Sequence, residues 1–447
     1  METSSRVTRL DDEAAYTPSD SSKSTATSPA APPLSRRVTP LEAMLAPARS
    51  LLREWTLGRY LATKEAVSGP PLQLTSDTSV GEALELLAGA GCLSAPVLDC
   101  DQGHIESATT WLGFLDVADI VRSLLRELYP WLLDEPRRST AHGMMAALAT
   151  DPVSVQSIFQ NWAGELFLLR WVRLLRPGSD GELLYKGLAF KSLLEVVTFG
   201  LSGLPVDSHP GMEGLVPCHR IAVFDVAETT ADAPSVLRIS TIVSQSDIIS
   251  FLLYHARAGK LGDLAGASIA SLGWLRGAVC VPASMPTIAA FALMLNRSVS
   301  AVGITASLDE QAPLVGSLSV SDVRALRTAA DFQDLALPVA QFLSRQYGGQ
   351  AFPATDSDVA AALQRMEVTS PAEGGSPKLW LVSCDPEDSL TTVLDKMVTC
   401  GVHRVWVVHR LTGVALGVVT MSDVLQLLAV DPSSDDRGWL EGSTTQI

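Results

Sequence analysis

Residues Val382–Ala429 read VSCDPEDSLTTVLDKMVTCGVHRVWVVHRLTGVALGVVTMSDVLQLLA, and their order of signals decides the fold. A turn at Asp385–Asp388 opens an amphipathic helix expected over Ser389–Thr399. The β-branched run Val402–Val408 predicts a strand, and Leu411–Gly413 a turn. Val414–Val419 predicts a second strand that runs straight into a helix opening at Thr420. A unit of this size buries too little apolar surface to stand alone, so copies of it must pack together.

The rest of the chain supplies those copies. Residues 281–326 repeat the order, from VPASMPTIAAFALMLNRSVSAVGI to LVGSLSVSDVRAL. So do residues 74–125, from LTSDTSVGEALELLAGAGCLSAPVLD to WLGFLDVADIVRSLL. A further copy is interrupted, with LAFKSLLEVVTFG as its helix, CHRIAVFD as its first strand and ISTIVSQSDIISFLL as its second strand and last helix. The reading is therefore α/β (α+β), built from four repeats that pack together. Its divisions are 1–40 as a disordered Ser/Thr/Pro-rich tail, 41–127 repeat one, 128–186 an insertion, 187–257 repeat two, 258–330 repeat three, 331–430 repeat four with its linker and loop, and 431–447 a flexible tail.

Composition sets limits on what such a protein does. Of 447 residues 47% are apolar and 18% charged, which rules out wholesale disorder. A formal charge of −16 repels phosphodiester backbones, so nucleic acid is not expected as a partner. The 6 cysteines are widely spaced and form no C-x-x-C pair, which fits reduced thiols and no zinc site. No metal is expected. The apolar stretch Gly277–Asn296 contains Pro282 and Pro286 and is expected to be a buried strand and helix, with no membrane span. The first residues lack an apolar run and do not read as a leader, so the expected location is cytoplasmic, nuclear or both. Within the insertion, LFLLRWVRLLR sets Arg170, Arg173 and Arg176 on one helical face, either a solvated edge or a docking face.

The stretches GVHRVWVV and LGVVTMSDVLQLL, with LGDLAGASIASLG and LALPVAQFLS upstream, resemble the tandem cystathionine-β-synthase (CBS) repeats. Among these, the chain resembles the four-repeat gamma subunits of AMP-activated and sucrose-non-fermenting-related protein kinases, over roughly residues 60–430, which implies two CBS-pair modules in a disk-like arrangement with central clefts. In that family each repeat closes its second strand with a hydroxyl residue, two spacers and an aspartate. The matching pairs are Thr420 and Asp423, Ser319 and Asp322, Ser244 and Asp247, and Asp116 and Asp119. The resemblance implies that the carboxylate accepts both ribose hydroxyls of a nucleotide while the hydroxyl and helix amides favour phosphate. The same residues also fit a helix capping box, which needs no ligand.

A His-Arg pair opens the first long strand of the even repeats, at His219 and Arg220 and at His403 and Arg404. The family implies that these face phosphate, where a permanently charged guanidinium and a pH-dependent imidazole both serve. Neighbouring strand residues point to opposite sides, so one member of each pair is expected to serve its own cleft and the other a neighbouring one. The first repeat departs from the family, with Cys92 and Leu93 where an arginine is common and Asp116 where threonine is usual. The second repeat keeps Asp247, which animal gamma subunits often lack, so that cleft is expected to be available here. His142, His209 and His255 stand singly and read as loop or surface residues.

No phosphate-binding G-x-x-x-x-G-K-[ST], nucleophile-elbow, H-E-x-x-H or kinase signature occurs, so no catalysis and no catalytic cofactor are expected. The resemblance implies a non-catalytic, energy-sensing regulatory subunit that binds AMP, ADP or ATP and partners a kinase catalytic (alpha) and a scaffold (beta) subunit. The alternatives are a free-standing CBS nucleotide-binding regulator of another enzyme or transporter, or a scaffold with degenerate clefts.

Overall fold

The computed structural model describes residues 39–64, 71–75, 77–98, 111–133, 140–150, 183–185, 190–202, 219–227, 236–326, 329–346 and 381–429. Two helices lead, α1 (Pro40–Glu54) and α2 (Leu57–Lys64). Repeat one follows as β1 (Leu74–Thr75), α3 (Val80–Gly89), β2 (Ser94–Leu98), β3 (Trp111–Asp116) and α4 (Val117–Leu128). Helix α5 (Ala141–Thr150) precedes repeat two, which is β4 (Leu183–Tyr185), α6 (Leu193–Val196), β5 (Arg220–Ala227), β6 (Val236–Ser244) and α7 (Gln245–Arg257). Repeat three is β7 (Cys280–Pro282), α8 (Thr287–Asn296), β8 (Ala301–Thr305) and β9 (Leu314–Ser319), closed by a 3-10 turn at Val320–Ala325. After α9 (Val339–Gln346), repeat four is β10 (Ser383–Cys384), α10 (Leu390–Thr399), β11 (Arg404–Val408), β12 (Ala415–Thr420) and α11 (Met421–Ala429).

Each repeat has the same 3-stranded sheet, in which the first strand pairs parallel with the second and the second antiparallel with the third. Even the irregularity recurs: the register shifts at Val97/Leu98, Val223/Phe224, Ile304/Thr305 and Val407/Val408. The first helices start where their caps dictate. Ser79, Ser192 and Ser389 each accept the backbone N–H three residues on, whereas α8 starts on Pro286 with no side-chain cap.

Each sheet has one face on its own helices and one on another sheet. Leu98, Ala222 and Ile239 join the sheets of repeats one and two, while Ala301, Leu314, Leu381 and Trp406 join those of three and four. The helices pair the other way. Leu84, Ile120, Ile288, Phe291 and Leu318 share one core built from repeats one and three. In the second core, Leu52 and Leu57 of the leading helices join Ile248, Leu252, Leu394 and Leu425 of repeats two and four. Every repeat therefore touches two others, closing a ring in the order one, two, four, three.

The apolar stretch 277–296 resolves into β7 and α8, and nearly every α8 residue is buried. Among the described residues no helix is long and apolar enough to cross a membrane. The stretch read as an insertion needs correction at both ends, because β4 is the first strand of the second sheet and Met144 and Leu148 of α5 lie in the core of repeats one and three. Strand β4 is only 3 residues long, too short to show a sequence period. The arginine-bearing segment 165–176, the tails 1–38 and 430–447, the loop 371–377 and His209 lie outside the described residues.

The cysteines Cys92, Cys280, Cys384 and Cys400 are free thiols, though Cys400 is exposed. Burial pushes Cys280 up to about 11 and Cys384 to about 12, which keeps both protonated and unreactive. His142 is exposed on α5, whereas His255 departs from its surface reading. His255 packs against Trp55, Phe251 and Tyr254, and burial, with Lys260 and Arg59 nearby, holds it below the usual imidazole value.

Gly417 in β12 lies where the chain leading to repeat three crosses repeat four. A methyl group there would stand 2.7 Å from Trp274 O and 2.9 Å from both N and O of Arg276, all backbone atoms that cannot swing aside. Gly417→Ala is expected to cost about 1–3 kcal/mol of stability. Gly89→Ala, with nothing within 4 Å of the added carbon, serves as the comparison in thermal melts. Equal melting temperatures for the two variants would show that the crossing is loose.

Candidate functional site

All four hydroxyl- or carboxyl-capped aspartates sit at the start of the helix or 3-10 turn that follows the third strand. Thr420 N and Oγ1 donate to Asp423 Oδ2 at 2.8 and 2.6 Å, and Asp423 N returns a bond to Thr420 Oγ1 at 3.1 Å. Ser244 N and Oγ donate to Asp247 Oδ2, both at 2.7 Å. Ser319 N donates to Asp322 Oδ2 at 2.7 Å and Asp116 N to Asp119 Oδ2 at 3.3 Å. The capping geometry is thus present in every repeat, and it fixes the direction of each carboxylate before any ligand arrives.

The surroundings of those carboxylates differ. Asp423 is held above the usual carboxylate value by burial, against which the Thr420 bonds and the nearby Arg276 work. Asp119 accepts from Arg122 at 2.8 Å, and Asp247 accepts from Lys64 of α2 at 2.7 Å. Asp322 lies close enough to Arg404 to favour its charged form.

The His-Arg pairs stand just before or at the first residues of β5 and β11, and their arginines reach into the neighbouring repeats. Arg220 Nη1 donates to Ser94 O of repeat one at 2.7 Å. Arg404 Nη1 and Nη2 donate to Ser300 O and Oγ of repeat three at 3.0 and 3.1 Å. His219 turns to its own repeat, with Nδ1 3.1 Å from Gln245 Oε1. Gln245 continues the link to the adjacent repeat four, donating from Nε2 to Ser422 Oγ at 3.0 Å, and also donates to Leu201 O at 2.9 Å. In repeat two the histidine thus bonds its own repeat and the arginine the neighbouring one.

Imidazole and guanidinium groups from different repeats converge as a result. His403 is pushed down to about 4, first by burial and then by Arg404, Arg220, His219 and Arg324. Arg404 is lowered to about 10 by burial, still charged at neutral pH, with Asp322 opposing the shift. Burial disfavours the imidazolium first, and the neighbouring guanidiniums add to that effect. A guanidinium has five N–H donors, and the bonds to Ser94 and Ser300 use one or two of them, so both arginines can hold position and still meet an anion.

Arg324 was not marked by any motif. It comes from the 3-10 turn of repeat three, bonds Ser321 O through Nε at 3.2 Å, and reaches Cys92 O of repeat one through Nη1 at 3.4 Å. Cys92 is the place where the first repeat lacks an arginine, so a third-repeat arginine occupies that neighbourhood. Only its proximity in the folded ring reveals this. Among the described residues no group of three or more His, Cys, Asp or Glu could hold a metal ion.

The model of the CBS domain matches residues 381–430. Over 382 residues the chain is 21% identical to the SNF1-related protein kinase regulatory subunit gamma-1 of Arabidopsis thaliana, covering 83% of this chain and 81% of that protein. It is 27% identical over 165 residues to the 5'-AMP-activated protein kinase subunit gamma-3 of Bos taurus, which is 37% of this chain and 27% of the bovine one. Among solved structures, a protein of Methanocaldococcus jannaschii whose description relates it to g-AMPK aligns with 81% of this chain and 98% of its own, at 12% identity and a TM-score of 0.46. The chain thus carries a CBS domain at 381–430, builds the same sheet four times, and resembles the gamma subunits of SNF1-related and AMP-activated protein kinases.

Proposed function

We propose that this chain is a non-catalytic, gamma-type regulatory subunit that senses adenine nucleotides for an energy-responsive Ser/Thr kinase complex. The observation that carries the reading is the convergence of His219, Arg220, Arg324, His403 and Arg404 where the four repeats meet, in a protein whose net charge is −16. Repelling cations are gathered at a cost that a bound polyphosphate offsets. Asp423 with Thr420 supplies the ribose end and the guanidiniums the phosphate end. The kinase partnership is drawn from the named relatives, of which the Arabidopsis subunit is alike over 83% of this chain and the bovine one over 37%.

Regulation follows by linkage. If AMP and ATP differ in affinity for one cleft, and the occupied forms differ in their hold on the kinase, the nucleotide ratio sets kinase state with a coupling of about 1–3 kcal/mol. Arg220, Arg404 and Arg324 each bond a backbone carbonyl of a neighbouring repeat, so phosphate bound to them changes inter-repeat bonds directly.

Calorimetric titration of the full chain is expected to show AMP, ADP and ATP binding. Asp423→Ala and Arg404→Ala should each weaken it by about 1.5–3 kcal/mol, the worth of a charge-assisted hydrogen bond. Absence of heat with all three nucleotides, together with an unchanged melting temperature, rejects the reading. Arg324→Ala should weaken ATP more than adenosine; equal losses would place Arg324 away from phosphate.

His403 gives a pH signature. Its folded value of about 4 lies below the unfolded 6.5, so the unfolded chain takes the proton first and apo stability falls as pH drops from about 6.5 to about 4. His403→Gln should flatten that decline in denaturant titrations. A bound phosphate favours the imidazolium, so nucleotide binding near pH 5.5 should take up protons, read from titrations in buffers of different ionisation enthalpy. The same uptake in His403→Gln would assign the proton to another group.

A further inference from the structure

The second repeat has a complete Ser244 and Asp247 pair, and its carboxylate is already engaged. Asp247 Oδ2 accepts Ser244 N, Ser244 Oγ and Lys64 Nζ, each at 2.7 Å. The same ammonium donates to Ile242 O on β6. The Tyr60 hydroxyl, one turn earlier on α2, bonds Asp247 as well; burial and that carboxylate raise the tyrosine above its usual value. Lysine and aspartate side chains are 19% and 20% exposed, so the pair is well shielded from water.

A ribose clamp needs the carboxylate to accept two sugar hydroxyls, and here Lys64 of α2 already holds Oδ2, with the Tyr60 hydroxyl beside it. We propose that Lys64, supported by Tyr60, is the residue that closes the second repeat's cleft to nucleotide, so that helix α2 acts as a built-in occupant. This rests on the reading of the other aspartates as ribose clamps.

The helix is fixed firmly enough to do so. Leu57 is 0% and Leu61 2% exposed in the core of repeats two and four. Around it, Leu57 N donates to Lys191 O at 2.7 Å, Leu193 N donates to Trp55 O at 2.8 Å, and the Arg59 guanidinium lies 3.8 Å from the Trp55 ring centre. Lys64 is the last residue of the helix, so its side chain is aimed by a rigid element. The fourth repeat makes the contrast. Its Asp423 has the same two local bonds from Thr420, and the chain leading to repeat three brings Arg276 near it in the way the chain leading to repeat one brings Lys64 to Asp247. Arg276 acts on Asp423 through its charge, whereas Lys64 donates directly to Asp247 Oδ2. The closing residue also selects: with Asp247 satisfied internally, nucleotide is directed to the other clefts.

Equilibrium dialysis of the full chain against labelled AMP tests the closure. Lys64→Met is expected to bind one AMP more per chain than the wild type, and adding Asp247→Ala to that variant should remove the extra site. The same non-zero stoichiometry in wild type and Lys64→Met would overturn the closure while leaving nucleotide sensing intact. No AMP bound by either protein would sink the sensing reading and the closure with it. A measurement on the unaltered chain keeps the question open to refutation if the variant does not fold. Acetic anhydride labelling read by mass spectrometry should modify Lys64 far more slowly than the exposed Lys260, at a rate that saturating AMP does not change. Faster labelling of Lys64 in the presence of AMP would mean that nucleotide displaces the lysine, against the proposal.

Discussion

The structure depends on one constraint: a repeat of three short strands and two helices has two apolar faces and cannot cover both by itself. A sheet face needs another sheet and a helix face another pair of helices. Here the sheet faces join repeats one to two and three to four, while the helix faces join one to three and two to four. Once both demands are met in every repeat, the ring closes and the helix starts that follow the third strands are brought toward one another. The site is a consequence of how the apolar surface is buried.

That closure also explains why charge can be concentrated in an acidic protein. Arg220 and Arg404 are anchored on carbonyls of the neighbouring repeats, so their positions are set by the same interfaces that hold the ring. Burial and, after it, the charge of these guanidiniums hold His403 far below the usual imidazole value.

Repeat four was legible almost residue by residue, because Ser389 caps its helix, Val405 and Val407 alternate into the core and Thr420 stops the strand. The aspartates and His-Arg pairs were legible as repeated motifs. What escaped was everything that meets across an interface. Arg324 and Cys92 are 232 positions apart and Lys64 and Asp247 183, and no local spacing links such residues. Strand β4 escaped for a different reason, since three residues carry no period, and it is defined only by its parallel pairing with Ala222–Phe224.

The aspartate motif shows why repetition alone does not count sites. In each repeat the carboxylate serves its helix start first, and that service is identical in all four. What distinguishes the repeats is the cation facing the carboxylate: Arg122 from the same helix, Lys64 from the helix before repeat one, Arg404 from a neighbouring strand, Arg276 from the chain before repeat three. Arg122 and Lys64 bond their carboxylates directly, whereas Arg404 and Arg276 act on Asp322 and Asp423 through charge. The repeats therefore differ in a residue outside the motif, and in all but the first it is contributed by a part of the chain that the motif does not mention.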